Sequence, residues 1–142
     1  MCHDALRFPF TGAHICEAVQ RLYSGKLVFF EGDGEVAEGV TVHQIGGHSR
    51  GLQAVRVRTE AGWLCLASDA AHFYENLWSR KPFPLVVDLE DMLRGFTRLE
   101  TLASDHRLIV PGHDPLVFSY FPVLEPDRIL RLDQGPRPGA FD

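Results

Sequence analysis

The stretch from Ile45 to Tyr74, IGGHSRGLQAVRVRTEAGWLCLASDAAHFY, decides how the chain is read. It alternates turn and strand. Gly46-Gly47-His48-Ser49-Arg50-Gly51 is a Gly-rich bend that lets the backbone pass close to a neighbour and aims one imidazole into the gap. Leu52 to Thr59 and Trp63 to Ser68 are β-rich runs, and Glu60-Ala61-Gly62 between them predicts a hairpin. At Ser68-Asp69-Ala70 the second strand ends and a carboxylate is presented. Ile109-Val110-Pro111-Gly112-His113-Asp114-Pro115 repeats the device, with an apolar strand, a Pro-Gly step and a His at the strand's end. A His, an Asp and a His at three strand ends point to a metal site on the edge of a sheet.

Working outward, Thr11 to Tyr23 reads as a helix, with Ile15, Val19, Leu22 and Tyr23 at helical spacing, Thr11 as N-cap and Ser24-Gly25 as stop. Phe8-Pro9-Phe10 ends any earlier helix. Leu27-Val28-Phe29-Phe30 reads as a short strand closed by the Gly32-Asp33-Gly34 turn, and Val40 to Ile45 as a strand feeding the His48 bend. Asp69 to Arg80 is mixed and aromatic, an irregular or short helical segment, and Lys81-Pro82-Phe83-Pro84 breaks it. The clearest helix is Asp88 to Ala103, with Leu89, Met92, Leu93, Phe96, Leu99 and Leu102 in one stripe and acids at its start. Residues 125–142 form a Gly/Pro-rich tail, predicted irregular. The order implies an α+β fold, a mostly antiparallel sheet with helices on one side.

Composition sets limits. A chain of 142 residues, 45% apolar and 23% charged, suits one domain with a sizeable core. A net charge of −5 supplies no basic footprint for nucleic acid. No apolar run approaches a membrane span, and MCHDALRFPF lacks a signal's apolar block. Cys2, Cys16 and Cys65 are an odd set without a CxxC pair, and Cys65 lies in an apolar strand, so a reducing, cytoplasmic setting is expected. Cys65 has no base pattern around it and is no nucleophile candidate.

Taken singly, His48 is a turn residue, Asp69 a strand-end cap and His113 a loop residue. Together, GGHSRG, LASDA and VPGHDP, in this order and spacing, resemble the second half of the metallo-β-lactamase fold, and the sequence between them is similar to its N-acyl homoserine lactonase branch. The resemblance runs through most of residues 1–122, and residues 1–124 are expected to form the C-terminal half of such a hydrolase domain. It implies an αβ/βα sandwich with two metal ions, zinc foremost, at one edge of the paired sheets. His48 would ligate the first ion, Asp69 would bridge, and His113 would ligate the second. It implies a hydrolase that opens the lactone ring of N-acyl homoserine lactones, a quorum-quenching activity, with no organic cofactor. At three residues past Asp69 such lactonases often carry a Tyr beside the substrate carbonyl; here that position is His72, and Tyr74 follows, so either could polarise the carbonyl or merely pack. Phe73, Trp78 and Phe83 would line an acyl-chain pocket or the plain core.

The family's first ligand motif, HxHxDH, is nowhere in these residues. With one His per ion and a shared Asp69, each ion falls below the roughly three protein ligands of a catalytic zinc. The sequence therefore predicts a fragment, its Met1 an internal methionine, that is inactive alone and binds zinc weakly. It also predicts that the inward residues of Leu52 to Ser68 line an exposed apolar face, so that the chain self-associates. A non-catalytic module completed by dimerisation or a partner chain is the competing class, and a glyoxalase II-like thioesterase the competing chemistry.

Overall fold

β-branched residues at alternate positions build the sheet that carries the site. The computed structural model describes residues 10–125 and 129–141; Cys2, His3, the Phe8-Pro9 step and residues 126–128 of the expected tail lie outside the described residues. The chain divides into two units, Met1–Phe30 and Glu31–Asp142. In the first, helix α1 (Gly12–Tyr23) forms with Thr11 in the N-cap position, although the Thr11 side chain makes no capping bond. Ile15, Val19 and Leu22 share a face with Leu27 and Phe29 around a shallow apolar hollow. Residues 27–30, read as a strand, form none. Four apolar residues without a partner ladder cannot satisfy their backbone by strand geometry alone.

In the second unit, β1 (Gly34–Ala37), β2 (Val40–Gln44), β3 (Gln53–Thr59), β4 (Gly62–Ser68) and β5 (Ile109–Pro111) make one sheet in the order β1-β2-β3-β4-β5. The first three pairings are antiparallel and β4 pairs with β5 in parallel. Register places Val42, Val55, Leu66 and Val110 in one cross-strand row and Val40, Val57 and Leu64 in the next, all on one face. Thr41, Arg56, Cys65 and Ile109 form a row on the other. The first strand went unread because Gly32-Asp33-Gly34 looks like a turn and hides the Gly34 start of β1.

The parallel step needs a crossover, which residues 69–108 supply. It contains α2 (Tyr74–Ser79) and α3 (Leu89–Leu102). Asp88 caps α3 by accepting the Asp91 N–H at 3.0 Å, as the acids at the helix start predicted. Met92, Phe96, Leu99 and Leu102 form its buried stripe, and Phe96, Leu99 and Leu102 cover the Ala54, Cys65, Ala67 and Ile109 side of the sheet. A second cluster, Leu64, Leu108, Val110 and Phe121, lies on the opposite side with Leu66, Leu130 and Leu132 against it. That cluster draws on α4 (Leu116–Tyr120), unread in the sequence, and on a ladder of β6 (Val123–Glu125) with β7 (Ile129–Leu130) where an irregular tail was expected. The result is the mostly antiparallel α+β sheet with helices that the sequence implied.

Candidate metal centre

The parallel pairing of β4 with β5 puts two strand carboxyl ends side by side, with Ser68 opposite Pro111. Such ends, followed by crossing loops, are where open α/β sheets bind ligands. At the end of β4 Ser68 adopts φ 49°, a left-handed conformation that non-glycine residues rarely take, and it aims the next residue, Asp69, away from the strand. At the end of β5, Gly112 passes so close that an added Cβ would stand 2.8 Å from the Ser68 carbonyl oxygen. Only a glycine permits this approach, and it carries His113 to Asp69. The Gly112 N–H donates to the Ala71 carbonyl at 2.9 Å and the His113 N–H to the His72 carbonyl at 3.0 Å, so the two loops are laced together.

The third loop arrives from β2. Gly47, at φ 83°, leaves no room for a side chain, because a Cβ there would meet the Met92 Cα at 2.6 Å. Its carbonyl accepts the N–H groups of Val87 and Asp88, at 2.9 and 3.0 Å, fixing the bend to the start of α3. The next residue, His48, is held by its ring: Nδ1 lies 2.7 Å from the Leu85 carbonyl oxygen. Since a carbonyl only accepts, Nδ1 carries the proton and Nε2 presents a lone pair.

The side chains converge on one carboxylate. His113 Nε2 lies 2.8 Å and His72 Nε2 3.3 Å from Asp69 Oδ1, while His48 Nε2 lies 3.7 Å from Oδ2. Ligating atoms of Asp69, His72 and His113 all lie within 4.8 Å of one another. His72 is stacked flat on Phe83, with centroids 3.4 Å apart and planes 11° from parallel. Its pKa is lowered, first by burial and then by the charge of His113, with Asp69 opposing, a shift that favours the neutral ring. A carboxylate ringed by three imidazoles is a donor set of the kind that binds zinc, and the carbonyl behind His48 is the orienting partner that ligating histidines use.

Tyr74 is placed differently. Its ring is buried, stacked on Trp78 at 5.6 Å and packed with Tyr120 and Phe141. Its hydroxyl is buried without a hydrogen-bond partner among the described residues, and burial raises its pKa well above the ordinary range. Phe83 lies at the centre against His48 and His72, Trp78 lies with Tyr74, and Phe73 stands edge-on to His72. Two contributors had no readable signal: the Leu85 carbonyl, whose role is pure backbone position, and Asp114. The Asp114 carboxylate is buried and accepts the Tyr74 N–H at 2.8 Å and the Leu116 N–H at 2.9 Å, joining the starts of α2 and α4 under the site.

No family model matches the chain. The N-acyl homoserine lactonase of Bacillus cereus is 36% identical over 86 residues, 59% of this chain and 34% of that protein. The chain thus spans about a third of the length of the curated relative it matches. A solved N-acyl homoserine lactone hydrolase, with N-hexanoyl-L-homoserine at its catalytic metal centre, aligns with a TM-score of 0.56 at 33% identity, over 63% of this chain and 36% of its own. This is a lactonase-like chain of metallo-β-lactamase fold. The likeness is partial, as those coverages state. A protein from Staphylococcus aureus described as a probable metal-dependent hydrolase shares the fold, at 17% identity and a TM-score of 0.54 over 70% of this chain and 35% of that one. Among the described residues no helix is long and apolar enough to cross a membrane.

Proposed function

We propose that the chain supplies the second half of the metal centre of a metal-dependent hydrolase that opens N-acyl homoserine lactones. The observation that carries this reading is the convergence of His48, His72 and His113 on the Asp69 carboxylate at the paired ends of β4 and β5. The lactone enters through likeness, since the solved relative holds a ring-opened homoserine at its own metal centre.

His48, Asp69 and His113 would hold the metal, zinc by donor type. A divalent ion supplies a Lewis acid that polarises a carbonyl and brings the pKa of water near neutrality. Asp69 faces His113 with one oxygen and His48 with the other, the disposition of a bridging carboxylate. His72, rather than Tyr74, is the side chain at the reaction centre, because Tyr74 packs with Trp78, Tyr120 and Phe141. Phe83 closes one side of the centre to water, and its apolar ring suits the start of an acyl chain. Without HxHxDH, a two-ion centre needs donors from a segment that bears that motif, fused or separate, so the chain by itself is inactive as a lactonase in this reading. The thiols of exposed Cys16 and buried Cys65 are free, which suits a reducing, cytoplasmic setting.

The test compares the chain alone with the chain joined to a segment bearing HxHxDH, assayed on lactone and thioester substrates with and without a chelator. Joining is expected to bring chelator-sensitive lactone opening, and Asp69→Asn to remove most of it, because a neutral amide is a poor bridge between cations. Undiminished turnover by the Asp69→Asn protein would overturn the reading, and preferred thioester turnover would redirect its substrate.

A further inference from the structure

We infer that His72 is a metal ligand, and that Asp69, His72 and His113 form a single-ion site contained within this chain. The inference rests on the metal-binding reading above and changes its ligand set. The sequence offers each ion one His and a share of Asp69, which is too few. The geometry joins two histidines to the same carboxylate oxygen. Their Nε2 atoms stand 2.8 and 3.3 Å from Asp69 Oδ1. Donors bound at about 2.0–2.1 Å around a tetrahedral zinc lie about 3.3 Å from one another. The two His–Asp separations lie within about half an ångström of that spacing, all three donor atoms fall within 4.8 Å of one another, and the group reaches the three protein donors of an open zinc site, two His and one carboxylate.

The rings are also held in position. His72 is only three residues from Asp69, in the same loop, and its flat stack on Phe83 fixes the ring plane. His113 stands at 4.5 Å, edge to face, from His72, and its backbone N–H donates to the His72 carbonyl, so the two rings share one frame. His48 faces the other carboxylate oxygen from 3.7 Å and stands outside the group of three. A soft or borderline divalent cation such as zinc or cobalt(II) fits two imidazoles and one carboxylate, whereas calcium and magnesium call for oxygen donors.

The experiment titrates the metal-free 142-residue chain with cobalt(II), reading the visible bands of low-coordinate cobalt and, after dialysis against zinc, the metal content by elemental analysis. One ion per chain is expected. His72→Phe keeps an aromatic ring on Phe83, and its melting temperature in metal-free buffer, together with far-UV circular dichroism, verifies the fold. Loss of an orienting partner outside a ligand set already costs about 10–100-fold in metal affinity, so losing a ligand should cost at least about 100-fold. Cobalt affinity unchanged in the folded His72→Phe chain overturns the inference, as does a parental chain that takes up no cobalt. Asp69→Asn separates the two readings. If it lowers binding while His72→Phe does not, the ion sits on Asp69 without His72 and only this inference falls. If neither lowers binding, the metal reading falls with it.

Discussion

Asp33 shows how one side chain fastens the sheet beside the site. Its carboxylate accepts from Arg98 of α3, with Nη2 2.6 Å from both oxygens, and from the Gln44 N–H at 3.3 Å, and it stands 3.0 Å from His43 Nδ1. Its contact with His43 foremost, opposed by burial and helped by the Arg98 charge, holds its pKa below the ordinary carboxylate value. Asp105 behaves alike on the far side of α3, held well below the usual range first by its side-chain bond with Arg107. A carboxylate with a depressed folded pKa contributes stability that is present above its unfolded pKa, about 4, and is lost as pH falls through the folded value. Acidification below about pH 4 should therefore weaken the fold progressively. Asp33→Asn should be less stable than the parent at pH 7, with the gap closing toward pH 3, as urea unfolding at both values would show. A gap of equal size at the two pH values would deny Asp33 this role. Cys65, by contrast, is an inert thiol, its pKa pushed up to about 12 by burial.

At the scale of elements, α3 joins core to centre. Its N-cap, Asp88, donates its own N–H to the Gly47 carbonyl, one residue before His48. Asp88→Ala should cost about 1 kcal/mol in urea unfolding, the usual price of a lost cap. It should also loosen the His48 bend, read as faster hydrogen exchange at the Val87 and Asp88 amides, which donate to the Gly47 carbonyl; unchanged protection of both would separate cap from bend. The sequence made such elements readable where pattern and partner coincide. Val40, Val42, Val55 and Val57 alternate and find one another across the sheet, and α3 carries its stripe and cap in plain view. Residues 27–30 show the converse, apolar residues without a ladder. At the centre, strand-end spacing singled out Asp69 and His113, whose side chains the structure brings to 2.8 Å from each other. The left-handed Ser68 and the close approach of Gly112, which turn neighbours in sequence into neighbours at one oxygen, are tertiary consequences that no local pattern encodes.

For the whole molecule, the question is what apolar surface remains once the described elements are packed. Val40, Val42, Val55 and Val57 stand outside both core clusters and are half-buried; of these, Val55 and Val57 belong to the Leu52 to Ser68 stretch whose inward residues were expected to line an exposed face. Leu85, Val87, Leu89 and Leu93, around the start of α3, are exposed, as are Val123, Leu124 and Ile129 of the β6–β7 ladder. Single exposed apolar residues are ordinary, but runs of this kind on a chain of 15.9 kDa are where association between copies is expected. Removing apolar area from water contributes about 25 cal/mol per Å², so association through such runs offsets part of its entropic cost only when several meet at once. The expected behaviour is therefore concentration-dependent association of the chain with itself. Sedimentation equilibrium across the micromolar range should give a weight-average mass that rises above that of the single chain. Leu85→Ser together with Leu89→Ser should hold that mass down, while leaving the melting temperature in place because neither side chain is buried. A mass that stays at one chain at every concentration would show that these surfaces are content in water.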